Sequence, residues 1–164
     1  VLLGDDIVYN ETEPALKQMI HVYDKVGATV LGCQEVPKDK VSAYGIVKGQ
    51  ATEDPDLLRV VDMIEKPAVE EAPSRFAALG HYILTPDVFE VLERVQPGKG
   101  NEIQLTDALK LMADREAVYA YNFKGRRYDT GNKLGYLKAV VEYALRRPDL
   151  GEDFRAYLQD LLQK

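Results

Sequence analysis

Cysteine, histidine and basic charge are all scarce in this sequence, and each scarcity removes a class of function. Cys33 is the one cysteine in 164 residues, so there is no disulfide framework or cysteine-rich zinc module, and a reducing cytosol is the expected setting. His21 and His81 have no Cys or His at ligand spacing, which excludes zinc chemistry. A serine nucleophile elbow is missing too. No apolar run approaches the roughly 20 residues that cross a bilayer, and residues 1–6 have neither the basic region nor the apolar stretch of a secretion signal. With 21 Lys and Arg against 27 Asp and Glu the net charge is −6, so no broad basic surface is available for the phosphates of duplex nucleic acid. This balance still permits a small anion site, one lysine or arginine set among carboxylates, working beside a divalent cation.

What is present suits one globular domain with its own core, since 46 % of the residues are hydrophobic. Val1, Leu2 and Leu3 read as a buried apolar strand running into Gly4, Asp5 and Asp6. Pro14 suits the first turn of a helix over 13–26, with Leu16, Ile20 and Tyr23 on one face and Gly27 as its stop. Residues 28–36 are β-prone, and strand, helix, strand is the pattern of an α/β unit with a parallel sheet. Strands follow at 44–48, 58–65 and 76–84 without intervening helices, which implies antiparallel pairing. A helix from Thr85 and Pro86 carries Val88, Val91, Leu92 and Val95 and ends at Pro97 and Gly98. Another carries Leu105, Ala108, Leu109 and Met112, and 117–123 is a strand. Residues 125–131 form a turn. Beyond it lie two amphipathic helices, 132–147 with Leu134, Leu137, Val141 and Leu145 on one face, and 152–164 with Phe154, Leu158, Leu161 and Leu162.

A few short stretches carry residues with chemistry. Asp5 and Asp6 follow a strand at the end where open α/β sheets place their ligands. A carboxylate there holds Mg²⁺ together with water and substrate phosphates, or merely caps a turn. Glu65 and Lys66 point to opposite sides of a strand unless the chain is already turning, and Pro67 favours the turn. Glu65 can accept hydrogen bonds from sugar hydroxyls and Lys66 can offer a point charge to a phosphate; as an exposed acid–base pair they would contribute little. Gly45, after Tyr44, either lets a ligand approach the backbone or forms a bulge. Asp129 opens a helix with Asn132 and can cap it, hold a metal, or both. Glu102, Thr106 and Asp107 lead into a helix, where acids either favour the N-terminus or steer substrate hydroxyls. Spacing alone leaves both readings open at each of these sites.

The order of the motifs is more specific. Leu3-Gly4-Asp5-Asp6-Ile7, Ser42-Ala43-Tyr44-Gly45-Ile46-Val47, Ile64-Glu65-Lys66-Pro67, Ala72-Pro73-Ser74 and Leu79-Gly80-His81-Tyr82 come first. Gly100-Asn101-Glu102-Ile103-Gln104-Leu105-Thr106-Asp107 and Tyr128-Asp129-Thr130-Gly131-Asn132-Lys133-Leu134-Gly135-Tyr136 follow. Over essentially all of its length the chain resembles bacterial UTP:glucose-1-phosphate uridylyltransferases. That family's glycine-rich nucleotide-binding segment has no counterpart here. The resemblance is therefore to the C-terminal, sugar-phosphate-binding portion of a single nucleotidyltransferase domain, a fragment expected to be inactive alone.

The resemblance implies a partial Rossmann-like nucleotide-diphospho-sugar transferase fold, α/β, with a mixed sheet flanked by helices. It implies transfer of a uridylyl group from UTP to glucose 1-phosphate, giving UDP-glucose and pyrophosphate, with Mg²⁺ as cofactor, in a cytoplasmic homo-oligomer. By matching motifs Asp5 and Lys66 are catalytic, Gly45, Glu65, Lys66 and Glu102 bind substrate, and Asp5 and Asp129 hold the metal. The alternatives are a dTTP-using thymidylyltransferase, a non-catalytic sugar-phosphate-binding module, and an oligomerisation module built on the last two helices; the Gln104-Leu105-Thr106-Asp107 run leans towards UTP. The apolar start also predicts an unpaired edge over residues 1–8 through which copies self-associate.

Overall fold

The computed structural model describes residues 1–98 and 101–163. Gly100, the first residue of one motif, and Lys164, the last of the expected C-terminal helix, lie outside the described residues. Five strands form the body: β2 (Thr29–Glu35), β3 (Gly45–Ala51), β4 (Leu57–Glu65), β5 (Phe76–Ile83) and β6 (Val118–Asn122). Their order is β2-β5-β3-β4-β6, and β6 pairs with both β4 and β2, so the sheet closes on itself. It is a mixed sheet: β2 and β6 run parallel, and every other pair is antiparallel. Strands β1 (Asp6–Tyr9) and β7 (Arg126–Asp129) make a separate antiparallel ribbon in which Asp6 faces Asp129 and Val8 faces Arg127.

Alternation along the strands divides the core. Leu31 and Cys33 of β2 pack with Val60, Met63, Val118 and Ala120 against helices α2 (Asp87–Leu92) and α3 (Leu105–Ala113), which contribute Val88, Val91, Leu109 and Met112. Val30, one residue away, turns to Met19 and Val22 of α1 (Ala15–Val26). Fully burying such side chains stabilises the fold by about 1.5–3 kcal/mol each. Burial also pushes the Cys33 thiol well above its ordinary pKa, leaving it as an unreactive small hydrophobe.

Several expectations are corrected. Val1, Leu2 and Leu3 are 62, 56 and 45 % exposed; they are not a buried strand but a strap, bridged at Leu2 to His81 of β5. The strap and β2 both run antiparallel to β5, so they share a direction without pairing, and the parallel partner of β2 is β6. Helix α1 starts after Pro14 and stops at left-handed Gly27, yet its buried face is Ala15, Gln18, Met19 and Val22 rather than Leu16, Ile20 and Tyr23. The reason is Gln18, whose amide bonds to Glu13 O and Lys124 O and accepts from the Lys124 N–H. A buried polar group satisfied three times is invisible to hydrophobic periodicity. Helix α2 ends at Leu92, short of Pro97. The stretch expected as a turn after Gly125 contains β7, which exists because β1 supplies its pairing partner. Along α4 (Lys133–Arg146), Leu134 and Leu137 are 61 and 57 % exposed and only Ala139 is buried. The helix is held to the ribbon instead by Arg146, which stacks over Tyr9 at 4.2 Å and bonds Glu142, itself the acceptor of the Tyr128 hydroxyl. Helix α5 (Gly151–Leu162) packs on α4. Among the described residues no helix is long and apolar enough to cross a membrane.

Candidate functional site

The β1–β7 ribbon leans on β5 at one point, and a glycine makes that contact possible. Gly80 has φ +59°, and a Cβ there would sit 2.7 Å from the Asp6 Cβ. Beside this contact a cleft of about 390 Å³ opens. Its lining brings together Asp5, Gly45, the adjacent Glu65 and Lys66, and Asp129, from four separate parts of the sequence. Glu102 is not brought there: it is exposed and absent from the lining, and Thr106, one turn later in the same motif, takes the place.

Glu65 ends β4, and Lys66 has a left-handed backbone with φ 45°. Such a conformation costs a non-glycine residue about 1–3 kcal/mol, and the following Pro67 adds its own restriction. The Lys66 N–H donates to Tyr44 O at 3.0 Å, tying down the turn. This is how adjacent side chains that a straight strand would send to opposite faces come to line one cleft. Glu65 Oε2 accepts from the Thr106 hydroxyl at 2.5 Å, while Oε1 lies 3.5 Å from Lys66 Nζ. A Cβ on Gly45 would stand 3.1 Å from both Glu65 Oε2 and Thr106 Oγ1, so a glycine here keeps that hydrogen bond undisturbed.

Three aspartates surround the other end of the cleft. Asp6 pairs with the Nε–H of Arg127. Asp129 Oδ2 accepts from the Tyr44 hydroxyl at 2.8 Å and Oδ1 from the Gly131 N–H at 3.1 Å. The Asp5 backbone carbonyl accepts from the Thr130 N–H at 2.8 Å, and its carboxylate makes no hydrogen bond or ion pair among the described residues. Burial works against the Arg127 charge, but hydrogen bonds to Asp6 and Tyr44 outweigh it and hold the guanidinium pKa above its usual value. Burial raises the Tyr44 phenol, with Arg127 opposing and Asp129 adding to the rise. Chiefly burial also pushes up Tyr82, which lines the cleft beside them.

A free carboxylate at Asp5 and a partly free one at Asp129 form an all-oxygen donor set. No group of three or more His, Cys, Asp or Glu side chains converges among the described residues. The two carboxylates fit a small hard cation, which binds through one or two carboxylates and fills its other positions with water and phosphate oxygens, and without Cys or His they do not fit zinc. Sequence reasoning missed Arg127 and the role of the Tyr44 hydroxyl. The available signal is Arg127 two residues before Asp129, which lie on one face of any strand, and reading 125–131 as a turn hides it.

Comparisons with known proteins place the whole chain. A family model described as nucleotidyl transferase matches residues 1–145. A UTP--glucose-1-phosphate uridylyltransferase of Staphylococcus epidermidis is 47 % identical over 161 residues, 98 % of this chain and 55 % of the relative. A solved UDP-glucose pyrophosphorylase complexed with UDP-glucose has a TM-score of 0.86 at 44 % identity, over 89 % of this chain and 55 % of that one. A UTP-bound UGPase from Acinetobacter baumannii gives 0.83 at 35 % identity, over 98 % and 55 %. The chain thus spans about half the length of the relatives it matches. The family match takes in every residue that lines the cleft, from Leu3 to Asn132, and on that ground the chain belongs to the nucleotidyl transferase family.

Proposed function

We propose that this chain provides the sugar-phosphate side of a uridylyl transfer from UTP to glucose 1-phosphate. The observation that carries the reading is the left-handed turn at Lys66, which aims a carboxylate and an ammonium into the cleft that Asp5 and Asp129 also line. Relatives 43 and 47 % identical carry uridylyltransferase names, so the dTTP-using alternative is not favoured. In the reaction a phosphate oxygen of glucose 1-phosphate bonds to the α-phosphorus of UTP, the bond from that phosphorus to the β-phosphate oxygen breaks, and pyrophosphate leaves with the electron pair. Lys66 Nζ offsets charge on the sugar phosphate, and Glu65, held by Thr106, accepts from sugar hydroxyls across the open backbone of Gly45. Asp5 and Asp129 would hold Mg²⁺. When bound, the cation neutralises phosphate charge and aligns the reacting groups. The same reading carries a cytoplasmic, homo-oligomeric enzyme.

Titration calorimetry of this chain with glucose 1-phosphate tests the reading. Saturable binding is expected, with no comparable heat from glucose 6-phosphate. No response to either sugar phosphate, or an equal response to both, overturns it. Gly45→Ala is expected to weaken the binding about fivefold, roughly one displaced hydrogen bond, because the new methyl crowds Glu65 and Thr106. An unchanged affinity in that variant would remove Gly45 from the sugar site.

A further inference from the structure

Arg127 is the most enclosed cation of the cleft, with a side chain 13 % exposed; it hydrogen-bonds two groups, and a terminal nitrogen also lies 3.8 Å from Asp129 Oδ2, beyond hydrogen-bond reach. Its Nε–H donates to Asp6 Oδ1. A terminal N–H donates to the Tyr44 hydroxyl at 3.1 Å, and the guanidinium lies over the Tyr44 ring, 4.7 Å from its centroid. The hydroxyl, with one lone pair taken by Arg127, points its hydrogen at Asp129 Oδ2, 2.8 Å away. The Gly131 N–H holds the other oxygen, Oδ1, so the Asp129 carboxylate is fixed in rotation.

The three aspartates therefore differ in what they can still bind. Asp6 is 9 % exposed and occupied by Arg127. Asp5 Oδ2 and Asp129 Oδ1 lie 3.2 and 3.3 Å from one point, the place where a Cβ on Gly131 would stand. We infer that Arg127, acting through the Tyr44 hydroxyl, is a positioning residue that withholds Asp6 and keeps Asp129 Oδ1 turned towards Asp5, so that these two carboxylates face a divalent cation together. The inference rests on the reading of Asp5 and Asp129 as the cation's ligands. Lysine cannot replace the arginine, because a single ammonium point charge lacks the planar fork that serves Asp6 and Tyr44 in different directions.

Mn²⁺ binding to the chain, followed by electron paramagnetic resonance, tests this without any turnover. The wild type is expected to bind Mn²⁺ and Asp5→Asn to lose that binding. Tyr44→Phe keeps the ring over Arg127 and leaves the Arg127–Asp6 pair, removing the hydroxyl that accepts from Arg127 and donates to Asp129. It is expected to weaken Mn²⁺ about tenfold, the scale on which groups that orient metal ligands act, with an unaltered circular dichroism spectrum. Arg127→Lys is expected to weaken it at least as much. Wild-type affinity in folded Tyr44→Phe overturns the positioning role, whether or not Arg127→Lys folds, and leaves the cation site standing. Absent wild-type binding, or binding that Asp5→Asn does not change, overturns the cation reading itself and this inference with it.

Discussion

Gly135→Ala is expected to lower the melting temperature of the chain by about 6–12 °C, the consequence of roughly 3 kcal/mol lost in a domain of this size. Gly135 lies in the first turn of α4, and a Cβ there would fall far inside van der Waals contact distance of the Asp129 carbonyl oxygen. The obstacle is backbone, so no side-chain rotation relieves it. The helix start has to withdraw, and in doing so it breaks the hydrogen bond that the Asn132 side-chain amide donates to that same carbonyl, 3.1 Å long, worth about 1 kcal/mol. The same movement displaces Asp129. Thermal unfolding followed by circular dichroism measures the loss, and a melting point within 2 °C of the wild type, about 1 kcal/mol or less, would show that α4 is not seated as tightly as this contact implies.

Lys66 gives two effects of opposite sign. Lys66→Ala is expected to weaken glucose 1-phosphate binding tenfold to a hundredfold, about 1.5–3 kcal/mol for one charge-assisted contact with a phosphate. Lys66→Gly should weaken it as much and yet raise stability by about 1 kcal/mol. Releasing the left-handed lysine returns about 1–3 kcal/mol, against roughly 0.5–1 kcal/mol for the extra freedom of glycine in the unfolded chain. Denaturant unfolding and calorimetry on the same pair of variants measure both quantities. A Lys66→Gly chain less stable than the wild type would mean that the φ of 45° carries no strain, and unchanged binding in both variants would return Lys66 to the role of a surface charge.

What the sequence made legible was local. Short apolar runs set between polar loops mark β3, β4 and β5, and Gly27 marks the end of α1, because these signals lie within one element. The closed sheet was not legible, since the pairing of β6 with both β2 and β4 depends on strands distant in the chain. The same limit governs the site. Asp5, Gly45, Glu65, Lys66 and Asp129 could be picked out as chemically capable residues, and the cleft does collect them. Glu102 and Thr106 lie four apart on the way into α3, and nothing in their spacing tells which of them reaches Glu65. Arg127 was hidden for a related reason: a four-residue strand of Arg, Arg, Tyr and Asp has no apolar rhythm, and it becomes a strand only when Ile7 and Val8 arrive beside it.

The pairing of β1 with β7 also bears on how the molecule assembles. Asp6 and Arg127 are 121 positions apart, so the ribbon joins two segments that flank the whole five-stranded body. Closing a loop of that length yields no contact energy until the intervening body has formed. A growing chain that has not yet delivered residue 129 can fold α1 and hold strands β2 to β5 together, but it has no Arg127 to neutralise Asp6 and no Asp129 to face Asp5. The end of the cleft where Asp5 meets Asp129 is therefore among the last parts of the fold to form, after the strands that carry Gly45, Glu65 and Lys66.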